Sequence, residues 1–251
     1  MNRLHQWLVG VMLLIGLSAP GIASNIVIFG ASGQFGGELV REALSRGHHV
    51  IGVSRTPEKF NYKDKNFTAV KGDPTQIDSV TAVTRNADAI LVALGDRETE
   101  APEKTAMNMA AIALSTALAG KGKQGPPVIV LGGGNTSAAN EAGMLEILAA
   151  RGTGNPRMKQ IYLSQWATYQ TYRKSSINWT YVATPLNILG ANNNGDASRT
   201  GKYRAAADGS LDKEPNTGLS RADIAVAMVD FAESGKYSQM RVMVVQEKPN
   251  R

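Results

Sequence analysis

Seven consecutive residues, Gly30-Ala31-Ser32-Gly33-Gln34-Phe35-Gly36, carry glycine at the first, fourth and seventh positions. The apolar run NIVIF precedes them, and an amphipathic stretch follows. That arrangement predicts a strand, a tight loop and a helix start. In such a loop the first glycine permits the turn, and the second lets backbone approach a pyrophosphate. The third lets the helix pack closely on the sheet. The helix start adds free N–H groups and a partial positive charge. The chemistry this suits is dinucleotide binding, through Gly30, Ser32, Gly33, Gln34 and Phe35. The competing reading is a glycine turn with a structural role alone.

Three further places could complete such a site. The second apolar run ends at Val53 and is followed by Ser54-Arg55-Thr56. A carboxylate there would accept hydrogen bonds from ribose hydroxyls, the NAD choice. Serine and arginine instead suit a 2′-phosphate, which favours NADP over NAD. Arg55 could also be a solvated surface charge. Gly72-Asp73-Pro74 follows the third run, where Asp73 could reach the adenine amino group or else cap the next helix. Ala93-Leu94-Gly95, after the fourth run, would flank the cofactor at the sheet edge.

The elements that must hold these residues alternate in kind. Short apolar runs at 25–29, 49–53, 67–70, 89–94, 128–131, 179–183 and 241–245 read as strands covered on both faces. Amphipathic stretches at 35–45, 78–84, 101–118, 158–174 and 221–232 read as helices, with Gly47 stopping the first and Ser220 capping the last. This implies an α/β fold: a Rossmann-type doubly wound parallel sheet with helices on both faces. The Gly/Asn-rich stretch 189–196 reads as a surface loop, and 186–219 as a small C-terminal lobe on the substrate side. One domain over 24–251 is expected.

Composition narrows the function classes. The chain has 251 residues, no cysteine and three histidines, one of which, His5, falls in a targeting-like segment. Disulfides, thiolate catalysis and Cys-type zinc sites are thereby excluded, and no metal site is expected. A Ser-His-Asp hydrolase would have to use His48 or His49, which are adjacent. The net charge of +6 is scattered, without the Arg/Lys blocks of a nucleic-acid surface. Met1-Asn2-Arg3, the apolar run 7–17 and the small residues up to Ala23 form a secretory-type leader at 1–23. Export, to the periplasm or beyond, follows whether the segment is cleaved or stays as an anchor, and an uncleaved segment would be the chain's one membrane contact. Nicotinamide cofactors are concentrated in the cytoplasm, so leader and loop pull in different directions.

The stretch GASGQFGGELVREALSRGHHVIGVSRTPEKF resembles the opening of the atypical short-chain dehydrogenase/reductases, in the NAD(P)H-binding group that includes flavin reductase (biliverdin reductase B) and negative-regulator-like proteins. GDPTQIDSV, Thr200-Gly201-Lys202-Tyr203 and Leu219-Ser220-Arg221-Ala222-Asp223-Ile224-Ala225 resemble later parts of that group. Ordinary members of the wider family carry Tyr-x-x-x-Lys on the helix before the sixth strand. By spacing, the equivalents here are Trp166 and Gln170, and neither Tyr162, Tyr169 nor Tyr172 has a lysine four residues on. Tryptophan offers no titratable proton and glutamine no charge, so an ordinary alcohol dehydrogenase is not expected. Flavin-reductase-like members use a Ser or Thr after the fifth strand to orient the nicotinamide. The resemblance therefore implies a role for Ser137, beside Thr136, with a chain-turning role for the glycine run as the alternative. It also implies Tyr169 facing the acceptor, unless that ring is packed away, and Thr184 lining the nicotinamide end, with Pro185 structural.

Two functions follow. One is an NADPH-dependent reductase passing hydride to a flat small-molecule acceptor such as a flavin, quinone or tetrapyrrole, the cofactor carrying the chemistry. The other is a non-catalytic dinucleotide-binding or sensor module that acts through a protein partner, which the missing Tyr/Lys pair and the export signal fit equally.

Overall fold

Successive residues of a strand face opposite sides of a sheet, so an uninterrupted apolar strand demands cover on both. The computed structural model describes residues 23–95, 101–137, 141–150, 156–185, 188–189, 198–212 and 218–247, and supplies that cover. Its strands are β1 (Asn25–Phe29), β2 (His49–Ser54), β3 (Phe67–Lys71), β4 (Ala89–Val92), β5 (Val128–Gly133), β6 (Trp179–Thr184), β7 (Ile188–Leu189), β8 (Tyr203–Ala206), β9 (Leu219–Ser220) and β10 (Met240–Gln246). Its α-helices are α1 (Gln34–Ser45), α2 (Ile77–Thr84), α3 (Ala106–Ala117), α4 (Glu141–Ala150), α5 (Pro156–Arg173) and α6 (Arg221–Ser234).

The main sheet has eight strands in the order β3-β2-β1-β4-β5-β6-β10-β8. All neighbours run parallel except β8, which is antiparallel to β10. Alternation divides β1 between two apolar layers. Ile26 and Ile28 pack with Leu39, Val40 and Ala43 of α1 and Ile224, Met228 and Phe231 of α6. Val27 and Phe29 pack with Val80 of α2, Leu114 of α3 and Tyr172 of α5. Strand order reverses between β1 and β4, which opens a crevice beyond their carboxyl ends, the place where ligands bind in sheets of this kind.

Local chemistry sets the helix limits. Past α1, His48 N–H donates to the Ala43 carbonyl at 3.1 Å and Gly47 N–H to that of Leu44 at 2.9 Å. Gly47 has φ +84°, as this helix-ending turn requires. Ser220 caps α6, its Oγ accepting from Asp223 N–H at 2.9 Å.

The structure departs from the sequence expectations in several places. The helix expected over 101–118 is a short 3-10 turn, Pro102–Lys104, followed by α3. Thr105 is extended and caps α3 by accepting from Asn108 N–H, which separates the two. Strand β4 ends at Val92, two residues before the expected end, while β5 runs on to Gly133 because Gly132 and Gly133 pair with Ala183 and Thr184. Helix α4 was not expected. The lobe expected over 186–219 contributes β8 to the edge of the main sheet, and Leu189, expected in a loop, pairs with Ser220. Residues 190–196 of that loop and 1–22 of the leader lie outside the described residues. Among the described residues no helix is long and apolar enough to cross a membrane.

Candidate functional site at the carboxyl edge

At the end of β1 the chain turns through Gly30, whose φ is +84°. A Cβ there would run into the Ala93 carbonyl, and a Cβ on Gly36 into the Gly30 carbonyl. The turn, the first coil of α1 and the end of β4 are thus in backbone contact, and side chains at those two positions would force them apart. Gly33 N–H closes the turn on the Gly30 carbonyl at 2.9 Å, and Gly37 N–H makes the first intrahelical bond, to the Gly33 carbonyl, at 2.8 Å. The N–H groups of Gln34, Phe35 and Gly36 precede that bond. Gly33, the N-cap, offers them no side-chain acceptor, and the first turn holds no acid. Ser32, Gly33 and Gln34 are exposed and Phe35 is half-buried. Uncapped donors at a positive helix end, beside a cradle a Cβ would fill, fit a pyrophosphate.

Beside the loop, β2 and β3 end together, with Ser54 opposite Lys71. Arg55 is exposed, and Thr56 N–H donates to Ser54 Oγ at 3.1 Å. Lys71 is also exposed, so two cations stand where a carboxylate would mark an NAD site. Sequence reasoning missed Lys71, whose signal was a charge closing the apolar run FTAV. Asp73 is engaged locally: its Oδ1 accepts from the N–H and hydroxyl of Thr75 at 2.9 and 2.8 Å. Its own N–H donates to Ser79 Oγ at 2.9 Å. This turn leads into α2, whose N-cap is Gln76, so Asp73 serves the turn before the helix. Ala93 and Leu94 are half-buried and Gly95 is exposed at the same edge, with Ala93 N–H donating to the Phe29 carbonyl at 3.0 Å.

Farther along, Ser137 and Tyr169 line one cleft of about 610 Å³ with Thr136, Arg173, Asp212 and Arg241. Ser137 is exposed at the end of the 3-10 turn Gly134–Ser137. Thr136 is buried and donates to the Gly133 carbonyl at 2.8 Å. Arg241 fixes that turn: its Nε–H donates to Thr136 Oγ1 at 2.9 Å, while Nη1 meets both Asp212 oxygens at 2.9 and 3.0 Å. It thereby ties the turn after β5 to β10 and to the segment after β8. Neither Arg241 nor Asp212 was anticipated, since their meeting is purely tertiary. Also on the cleft wall, the Ser210 hydroxyl and backbone N–H hold the exposed Asp208 carboxyl below its usual range. Tyr169 is half-buried, its ring 5.2 Å from that of Tyr181 and edge-on to Trp179 at 6.1 Å. It is packed and cleft-lining at once. Thr184 is buried and donates to the Gly132 carbonyl at 3.0 Å, so its hydroxyl pins β6 to β5.

On α5, Ser164, Thr168 and Tyr172 form the buried face, and at about 100° per residue Trp166 and Gln170 lie on another. Trp166 packs with Tyr162 and Met158, and the buried donors Trp166 Nε1 and Gln170 Nε2 have no hydrogen-bond partner among the described residues.

The profile of a family described as NAD(P)H-binding matches residues 30–234. The uncharacterized protein YwnB of Bacillus subtilis is 26% identical over 230 residues, which cover 89% of this chain and 99% of that protein. Two solved structures share the fold. One, from Streptococcus pneumoniae TIGR4 and named as a proposed NADH-flavin reductase, is 22% identical with a TM-score of 0.72, over 90% of this chain and 100% of the other. The second, named as a proposed exported protein of Burkholderia pseudomallei, is 25% identical with a TM-score of 0.69, over 88% and 99%.

Proposed function

Because the chain belongs to the NAD(P)H-binding family, we propose that it is a reductase that prefers NADPH and passes hydride to a flat acceptor such as a flavin or quinone. One observation carries the reading: beside the Gly30–Gly36 loop the exposed cations Arg55 and Lys71 stand at the ends of β2 and β3, while the carboxylate that follows β3, Asp73, is turned to Thr75. The bound nicotinamide would supply the hydride. The N–H groups of Gln34 and Phe35 would hold the pyrophosphate, and Arg55 with Lys71 the 2′-phosphate. Ala93, Leu94 and Gly95 flank the site. The cleft at Ser137 and Tyr169 receives the acceptor beside the nicotinamide, which Ser137 would orient by hydrogen bonding, and Tyr169 offers a ring edge for a planar partner. With tryptophan and glutamine at 166 and 170, no side chain there is a proton donor, which favours acceptors that take their proton from water.

Export of the domain is part of the same proposal. The leader at 1–23 supports it, as does the name of the Burkholderia relative.

NADPH oxidation by the full chain, followed by loss of nicotinamide absorbance with FMN, a quinone or biliverdin, tests the reading. Turnover with at least one of them is expected, and none with simple aldehydes or ketones. Bound NADPH that no acceptor oxidises would contradict it and leave a non-catalytic binding module.

A further inference from the structure

Helices α1 and α6 cover the same face of the sheet and pack against each other. Each is a crossover helix of a parallel sheet, so both begin at the carboxyl edge. The first residue of α6 is Arg221, directly after the cap Ser220. Its Nη1 donates to Oε1 of Gln34, the first residue of α1, at 3.0 Å. A guanidinium from the far end of the sequence therefore stands over the mouth of the dinucleotide loop.

The other arginines on this face are neutralised. Arg41 meets Glu38 at 2.6 Å, and Arg199 meets Glu42 at 2.7 Å. Arg46 meets Glu42, Asp230 and Glu233 at 2.6–2.7 Å. Arg221 has no ion pair among the described residues, and its one hydrogen bond is to a neutral amide. The nearest acid in sequence, Asp223, is buried and committed to Thr200 and Gly201, accepting both their N–H groups at 2.8 Å and the Thr200 hydroxyl at 2.8 Å. The loop and the first turn of α1 hold no acid either.

We infer that Arg221 is a cofactor-binding residue that contacts the pyrophosphate of the dinucleotide, exchanging the Gln34 amide for a phosphate oxygen. This rests on the dinucleotide reading above. Arg221 and Arg55 then divide the cofactor's charge. Arg221 serves the pyrophosphate that both cofactors carry, and Arg55 the 2′-phosphate of NADPH alone. The Gln34 bond already holds the guanidinium in place, so little side-chain ordering is left for the binding step.

Calorimetric titration of the full chain with NADPH, NADH and ADP, repeated at several salt concentrations, tests this. Arg221→Gln is expected to weaken all three about tenfold and to flatten the salt dependence, while Arg221→Lys recovers part of the loss. Thermal unfolding of the variants should stay within about a degree of the parent, because an exposed arginine-to-amide bond adds little stability. Unchanged affinity and salt slope in Arg221→Gln would overturn the inference. Weakening confined to NADPH would overturn it too, by moving Arg221 to the 2′-phosphate. Failure of the unaltered chain to bind any of the three would instead overturn the dinucleotide reading on which the inference rests.

Discussion

The two ends of the α1–α6 layer carry charge in opposite ways. At the carboxyl-terminal ends of these helices, Arg46 reaches Glu42, Asp230 and Glu233. There too, Arg199 reaches Glu42, His48 Nε2 meets Glu233 Oε1 at 2.8 Å and Tyr203 donates to Asp230 at 2.6 Å. Asp230 and Glu233 lie in the last turns of α6, where the helix dipole disfavours anions, and Arg46 offsets that cost. Glu42 is buried, which raises its pKa, but hydrogen bonds from Arg199 and Arg46 outweigh this and leave the carboxyl below its usual range. At the amino-terminal ends the two helices differ: Ser220 caps α6 and Asp223 sits in its first turn, whereas the Gln34, Phe35 and Gly36 N–H groups of α1 have no cap, and Arg221 meets only a neutral amide among the described residues. One end is internally balanced and holds the helices together. The other leaves the α1 N–H groups and the Arg221 guanidinium without a counter-charge among the described residues.

Changes at the two ends should therefore be read out by different measurements. The largest effect is expected from Gly36→Val, which drives a branched side chain into the Gly30 carbonyl. It should cost about 3 kcal/mol of stability and abolish NADPH binding, as seen by thermal unfolding and titration. Gly36→Val with NADPH affinity intact would show that the loop does not hold the cofactor.

Next comes Glu42→Gln at the balanced end. It should cost about 2 kcal/mol in denaturant unfolding and leave the NADPH dissociation constant unchanged, because it weakens charged hydrogen bonds far from the loop. The pH dependence has a definite sign. The folded pKa of Glu42 lies below the unfolded one, so its contribution is complete above the unfolded value of about 4.3 and is lost as pH falls through the folded value. Acid unfolding of Glu42→Gln should accordingly be shallower than that of the parent. A variant that lost cofactor affinity instead would erase the distinction between the ends.

The smallest effect concerns the acceptor cleft. Arg241→Gln frees the Thr136 turn, and should raise the KM for the acceptor about fivefold while NADPH affinity holds. A fall in NADPH affinity alone would show that the Thr136 turn serves the cofactor and not the acceptor.

How much the sequence disclosed follows from the same contrast. The strand, turn and helix start at 25–36 were legible because backbone geometry demands glycine at Gly30 and Gly36, and local spacing shows it. The sheet and most helices were legible from apolar runs that alternation divides between two layers. The sequence could not show that the Thr184 hydroxyl is spent on the Gly132 carbonyl, or Asp73 on Thr75, because both look equally available in a linear string. Nor could it bring Arg241 to Thr136, 105 residues away, or Arg221 to Gln34, 187 away. Strand β8 escaped notice because its four residues, YRAA, are half-buried at a sheet edge and lack a strong pattern.

Titration of NADPH and NADH into the parent chain and into Arg55→Ala tests whether the glycine loop builds an NADPH site in which Arg55 reads the 2′-phosphate. Tighter binding of NADPH than NADH by the parent is expected, with a loss of about tenfold in Arg55→Ala for NADPH alone. Equal affinity for the two cofactors in the parent, unmoved by Arg55→Ala, would contradict the 2′-phosphate assignment, and binding of neither would contradict the site itself.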